Sequence, residues 1–124
     1  MAFGSSVVER TIEGTHWFDC IDLAVAWNYG RIHHCINVGC SGDTSEDLVE
    51  RFDQDVVRLQ PDIVFIKIGG NDTEGDAKIS PERFEKNIMN IVSRLNRLGS
   101  RICLMTYHSP IFEFYGSERV AKLF

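Results

Sequence analysis

The sequence predicts an α/β protein whose parallel sheet carries helices on both faces. β-prone apolar runs alternate with amphipathic helical patterns at short spacing, and such alternation closes most simply as parallel crossovers. Each strand-like run also ends in small polar residues: "GSS" after Met1–Phe3, "GCSGDT" after Cys35–Val38, "GGNDT" after residues 63–68, and "YHSP" after Met105–Thr106. Ligands of open parallel sheets bind beyond the carboxyl ends of the strands, so these loops are where function is sought.

The elements follow in order. Met1–Phe3 is a short first strand. "HWFDCIDLAVAWNYG" places Phe18, Ile21, Ala24, Val25 and Trp27 at spacings that suit a helix. "HHCINVGC" is short and β-prone. In "GDTSEDLVERFDQDVVRLQPD", Leu48, Phe52, Val56 and Leu59 fall near one helical stripe; Asp43 or Thr44 can cap its start and Pro61 stops it. "DIVFIKIGG" is a strand apolar enough to be covered on both faces. "SPERFEKNIMNIVSRLNRLG" is the clearest helix, with Ser80 as N-cap, Pro81 in the first position, Gly99 at the exit, and a stripe of Phe84, Ile88, Ile91, Val92, Leu95 and Leu98. "RICLMT" is another buried strand, and "SERVAKLF" begins a further helix.

The 124 residues suit one domain with a real core. There are no repeats, low-complexity tracts or linkers. A net charge of −5 argues against a nucleic-acid or anionic-membrane partner. No apolar run approaches a membrane span and no signal peptide is visible, so a cytoplasmic protein without stable membrane insertion is expected. Cys20, Cys35, Cys40 and Cys103 lack C-x-x-C spacing and sit in apolar or strand-like stretches, which reads as reduced core thiols. The cysteines and histidines are not clustered at ligand spacing, so no metal is expected.

Taken singly, the strand ends are ambiguous. "FGSS" either turns the chain sharply to present a serine hydroxyl or is a serine-rich turn. "NVGCSGDTS" either offers backbone N–H groups to an anion or is an ordinary capped βα loop. "GGND" either aims the Asn71 amide at a developing oxyanion or simply turns. Together they are more specific. In order and spacing, 36 residues from Ser6 to Gly42 and 29 more to Asn71, they resemble the SGNH, or GDSL-like, hydrolases. "RLQPDIVFIKIGGND" is similar to that family's approach to its third block, and the resemblance runs from Phe3 nearly to the end.

The resemblance implies a flavodoxin-like three-layer α/β/α sandwich. It assigns the nucleophile to Ser6 and the oxyanion hole to Ser6, Gly42 and Asn71, with no cofactor and no metal. The substrate would be a small-molecule ester or thioester, handled by an esterase of lysophospholipase or thioesterase type. "GSS" departs from the commoner Gly-Asp-Ser, with Ser5 in place of the aspartate. The family's Asp-x-x-His block has no counterpart. His16, His33, His34 and His108 read as surface or loop histidines, His108 alone lying on the active-site side. Residues 1–124 are therefore expected to form a single domain that holds the N-terminal and central portion of a longer protein, with the first strand clipped and the fifth strand and last helix absent. Such a clipped central strand would leave backbone groups unpaired, and the missing helix one sheet face bare. The alternative is a catalytically inactive α/β binding module, or a truncated copy, lacking the general base. A nucleotide-binding protein is disfavoured, since there is neither G-x-G-x-x-G nor a P-loop lysine. Neither acyl specificity nor oligomeric state is legible.

Overall fold

Four strands, three α-helices and two single 3₁₀ turns make up the computed structural model, which describes residues 1–9, 14–73 and 79–106. In chain order they are β1 (Ala2–Gly4), α1 (Trp17–Tyr29), β2 (Asn37–Gly39), α2 (Ser45–Asp55), a turn at Val57–Leu59, β3 (Ile63–Lys67), a turn at Asn71–Thr73, α3 (Pro81–Leu98) and β4 (Arg101–Leu104). The strands are all parallel, in the order β2-β1-β3-β4. This is the doubly wound arrangement expected. β1 and β2 are each displaced by one or two residues from their expected bounds, into the glycines that follow. The expected helix over "SERVAKLF" lies outside the described residues.

β1 is only three residues long, yet it is bonded on both sides. Phe3 pairs with Val38 on β2 and with Ile66 on β3. Flanking bonds extend the ladder: Ala2 N donates to Ile36 O, and Phe65 N donates to Met1 O. The expected unpaired backbone is not found at these positions.

The two faces of the sheet differ. On one, Phe3, Val64, Ile66 and Ile68 meet Leu48, Phe52 and Val56 of the α2 segment and Ile91 and Leu95 of α3. Most of these side chains are fully buried, each worth about 1.5–3 kcal/mol of transfer free energy. On the other face, α1 contributes one buried residue, Phe18, to a small cluster with Ala2 and Val8, with Trp17 and Ile21 partly buried against it. Trp27, expected on the buried stripe, is 90% exposed, and Ile63 on β3 is 45% exposed. β3 is thus well covered on one face and thinly on the other. The cysteines are free, as expected, but three of the four are exposed rather than in the core.

The punctuation follows the sequence closely. Ser80 caps α3 by accepting from Arg83 N, Pro81 opens it, and Gly99 closes it in the left-handed region. Thr44, not Asp43, caps α2. Its hydroxyl accepts from Asp47 N while Asp47 accepts from Thr44 N at 2.8 Å, a reciprocal capping box. α1 is capped by an imidazole: His16 Nδ1 accepts from Phe18 N.

At Gly4, β1 passes so close to β3 that an added Cβ would stand 2.1 Å from the Lys67 carbonyl oxygen and 2.7 Å from Val8 Cγ2. Gly4→Ala must therefore move backbone. We expect it to cost about 3 kcal/mol or more, read as a lowered urea midpoint; an unchanged midpoint would show that the strands are not this close.

Candidate active site

Three loops leave the carboxyl ends of β1, β2 and β3, which are neighbours in the sheet, and hydrogen bonds tie them into one rim. Cys40 N, just beyond β2, donates to the Gly4 carbonyl at 3.0 Å. Glu9 accepts from Ser41 N at 2.6 Å. From the third loop, Asn71 Nδ2 donates to the Asp43 carbonyl at 2.7 Å. The buried Asp72 carboxylate receives Ser45 N through both its oxygens, at 3.0 and 3.1 Å. Asp72 therefore caps α2 from another loop and adds a negative charge where the helix dipole favours one. In the sequence Asp72 is only the last residue of the "GGND" turn. Its partner lies 27 residues away, so no local pattern could have found it.

Ser45 is the second hub of this rim. It is fully buried, and its hydroxyl accepts from Asn87 Nδ2 of α3 at 2.9 Å. The start of α2 is thus held from the third loop and from α3 together.

Arg51, also unflagged by the sequence, binds the rim from below. Its Nε donates to Asp43 at 2.7 Å, Nη1 to Asp55 at 2.5 Å and to the Val38 carbonyl at 2.8 Å, and Nη2 to the Gly4 carbonyl at 3.1 Å. The guanidinium also lies 4.7 Å from the centre of the Phe3 ring. Its side chain is only 19% exposed, and Asp43's only 11%.

Each residue expected in the site lies on this rim. Ser6 is half-buried, two residues beyond β1. Neither its N–H nor its hydroxyl has a hydrogen-bond partner among the described residues. Gly42 is exposed, with φ +87°, a left-handed conformation that favours glycine. Its N–H is likewise unpaired among the described residues. Asn71 has committed one amide hydrogen to Asp43, and its amide carries a second.

The histidines are placed elsewhere. His16 is engaged at both nitrogens, Nδ1 as the α1 cap and Nε2 on the Val7 carbonyl at 3.2 Å. His33 and His34 border a cavity at the amino end of the sheet with Met1, Ile36, Asp62 and Ile63. His33 is no surface histidine; it bonds Asp22 at 2.9 Å. His108 lies outside the described residues.

Residues 2–123 match the GDSL-like lipase/acylhydrolase family, and the chain belongs to it. It is 35% identical over 89 residues to an uncharacterized lipoprotein, YqeF, of Bacillus subtilis; the match covers 68% of this chain and 36% of that protein. Among solved structures, an acetylxylan esterase of Geobacillus stearothermophilus, Axe2, superposes with a TM-score of 0.81 at 22% identity, over 98% of this chain and 64% of Axe2. TesA superposes with a TM-score of 0.74 at 20% identity, over 99% of this chain and 68% of TesA. These likenesses show the flavodoxin-like fold. The chain spans about a third of the length of its curated relative and about two thirds of those structures.

Two positions test how the rim is held. Arg51→Ala takes a donor from two carboxylates and two carbonyls, the Gly4 carbonyl keeping Cys40 N, and we expect a loss of about 3–5 kcal/mol in urea unfolding. Arg51→Lys, which cannot reproduce the fork, should recover only a minor part. The second concerns Asp47, whose carboxyl is held below its usual value of 3.8 by hydrogen bonds from the Thr44 hydroxyl and backbone. A lowered carboxylate stabilises the fold above its unfolded pKa, and this is lost as pH falls through the folded one. Asp47→Asn should therefore melt lower than wild type at pH 7, and the gap should close as pH falls below 3.8. A gap independent of pH would assign no role to the charge.

Proposed function

We propose that the protein is a serine ester hydrolase acting through an acyl-enzyme on Ser6. The observation that supports this most is the rim itself: one serine and three unspent donors on adjoining strand ends. Ser6 Oγ attacks the acyl carbonyl and gives its proton to a general base. The carbonyl oxygen becomes an oxyanion, received by the N–H groups of Ser6 and Gly42 and by the second amide hydrogen of Asn71. Collapse expels the alcohol or thiol, which takes the proton, and water then releases the acid. No described histidine is hydrogen-bonded to Ser6, so the base is sought among residues outside those described. Substrates are small esters or thioesters, of the lysophospholipase or thioesterase type. The acetylxylan esterase among the structural neighbours adds acetylated sugars to the candidates. Among the described residues, no helix is long and apolar enough to cross a membrane.

The want of a placed base among the described residues favours the second reading, a module that uses the same rim to bind without turnover. Hydrolysis of p-nitrophenyl acetate by the longest natural form of the protein separates the two. We expect turnover that Ser6→Ala lowers by at least about 10³-fold with an unchanged melting temperature. Equal rates for wild type and variant would reject Ser6 as nucleophile, and no turnover by either would favour the binding module.

A further inference from the structure

A second cluster of reactive side chains lies away from the serine. Asp22 projects from α1, and His33 and Cys35 stand in the segment that leads into β2. One carboxylate oxygen, one imidazole nitrogen and the thiol sulfur lie within 4.8 Å of one another. Asp22 Oδ1 is 2.9 Å from His33 Nε2, and the Cys35 thiol also reaches the Asp22 carboxylate. The other ring nitrogen, His33 Nδ1, is buried and without a hydrogen-bond partner among the described residues. The cluster borders a cavity of about 490 Å³ that His34 also lines.

We propose that Asp22, His33 and Cys35 bind a divalent cation of the zinc class, with water as fourth ligand. The donor set selects the ion. One sulfur, one nitrogen and one oxygen suit borderline-soft Zn²⁺, whereas Mg²⁺ and Ca²⁺ take all-oxygen shells. The size fits too. Tetrahedral zinc with bonds of about 2.0–2.3 Å places its ligands about 3.3–3.8 Å apart, so the Asp22–His33 pair, now 2.9 Å apart, opens slightly while the thiol, within 4.8 Å of both, draws in. Binding displaces the thiol proton to solvent and leaves a thiolate on the metal. Burial and the neighbouring Asp22 push the Cys35 thiol up, so the cation, not the local field, supplies the thiolate.

The place has a structural meaning. Phe18 is the one buried side chain of α1, and the cation would staple this weakly packed helix to the approach of β2. The site lies at the opposite end of the sheet from Ser6, so it is not a part of the hydrolytic rim. The cluster is not local in the sequence, because Asp22 joins from a helix eleven residues before His33.

The test is titration of the reduced protein with Co²⁺ and then Zn²⁺. We expect a near-ultraviolet thiolate-to-cobalt charge-transfer band that saturates at one equivalent and is displaced by Zn²⁺, together with a zinc-dependent rise in melting temperature. Cys35→Ser should abolish the band and weaken Zn²⁺ binding at least about tenfold. Should that variant fail to fold, the triple variant Cys20→Ser, Cys40→Ser, Cys103→Ser decides, since all three replaced thiols are exposed and Cys35 is the last of the four. Its retaining the band supports the site. No band in wild type, or a band lost in the triple variant, overturns it.

Discussion

The carboxyl end of the sheet depends on one guanidinium. Arg51 reaches the last residue but one of β2 and the last residue of β1 through their carbonyls, and the β2–α2 loop through Asp43. Those carbonyls sit at the end of the ladder, where the Gly4 carbonyl also receives Cys40 N, so Arg51 adds a second donor there. An arginine meets all of them because its donors lie in a rigid plane; the Asp43 and Asp55 carboxylates offset its charge, and the Phe3 ring its face. The ion pairs alone would not justify burying the group, since desolvation cancels much of their attraction. What Arg51 contributes is position: it sets how far apart the first two loops stand, and hence where Ser6 and Gly42 stand.

The third loop is held by a different device. Asp72 caps α2, and Asn71 bonds the Asp43 carbonyl, so the β3 loop is fixed to the start of α2 at two successive residues. Arg51 binds Asp43 through its side chain while Asn71 binds it through its carbonyl. The two devices meet at one residue, and the three loops become one mechanical unit. Asn71 spends one amide hydrogen on this and keeps one, a division that suits an oxyanion donor: the bonded half orients the free half, and no reorganisation is then needed when charge develops.

How much of this was legible in the sequence follows from the range of each interaction. Caps and helix ends are local, and Ser80, Pro81 and Gly99 behave as their spacing predicts. The parallel sheet was legible too, from the alternation of elements, while the strand order followed only from the family resemblance. Burial was legible only for the α2–α3 face. Trp27 has the right periodicity in α1, yet periodicity says which residues share a stripe and not whether anything covers it. Arg51, Asp72 and Asp22 were missed for a common reason. Each is an ordinary charged residue in an ordinary place, and its meaning comes in whole or in part from partners 11 to 47 residues away.

The two ends of the sheet are therefore built on different principles. The carboxyl end rests on the well-filled face: α2, which carries Arg51, is anchored by Leu48 and Phe52, and α3, which carries Asn87, by Ile91 and Leu95. Precision there comes from packing density, since a dense core moves little. The amino end rests on the thin face, where α1 exposes Leu23 and Trp27 and polar contacts such as Asp22–His33 carry a larger share of the attachment. Loosening α1 should reach the rim through Val7, whose carbonyl receives both His16 and Trp17 one residue beyond Ser6, and through Val8, which packs on Phe18. Both would let the Ser6 loop respond to α1, while the Gly42 and Asn71 loops, held by Arg51 and Asp72, stay where they are.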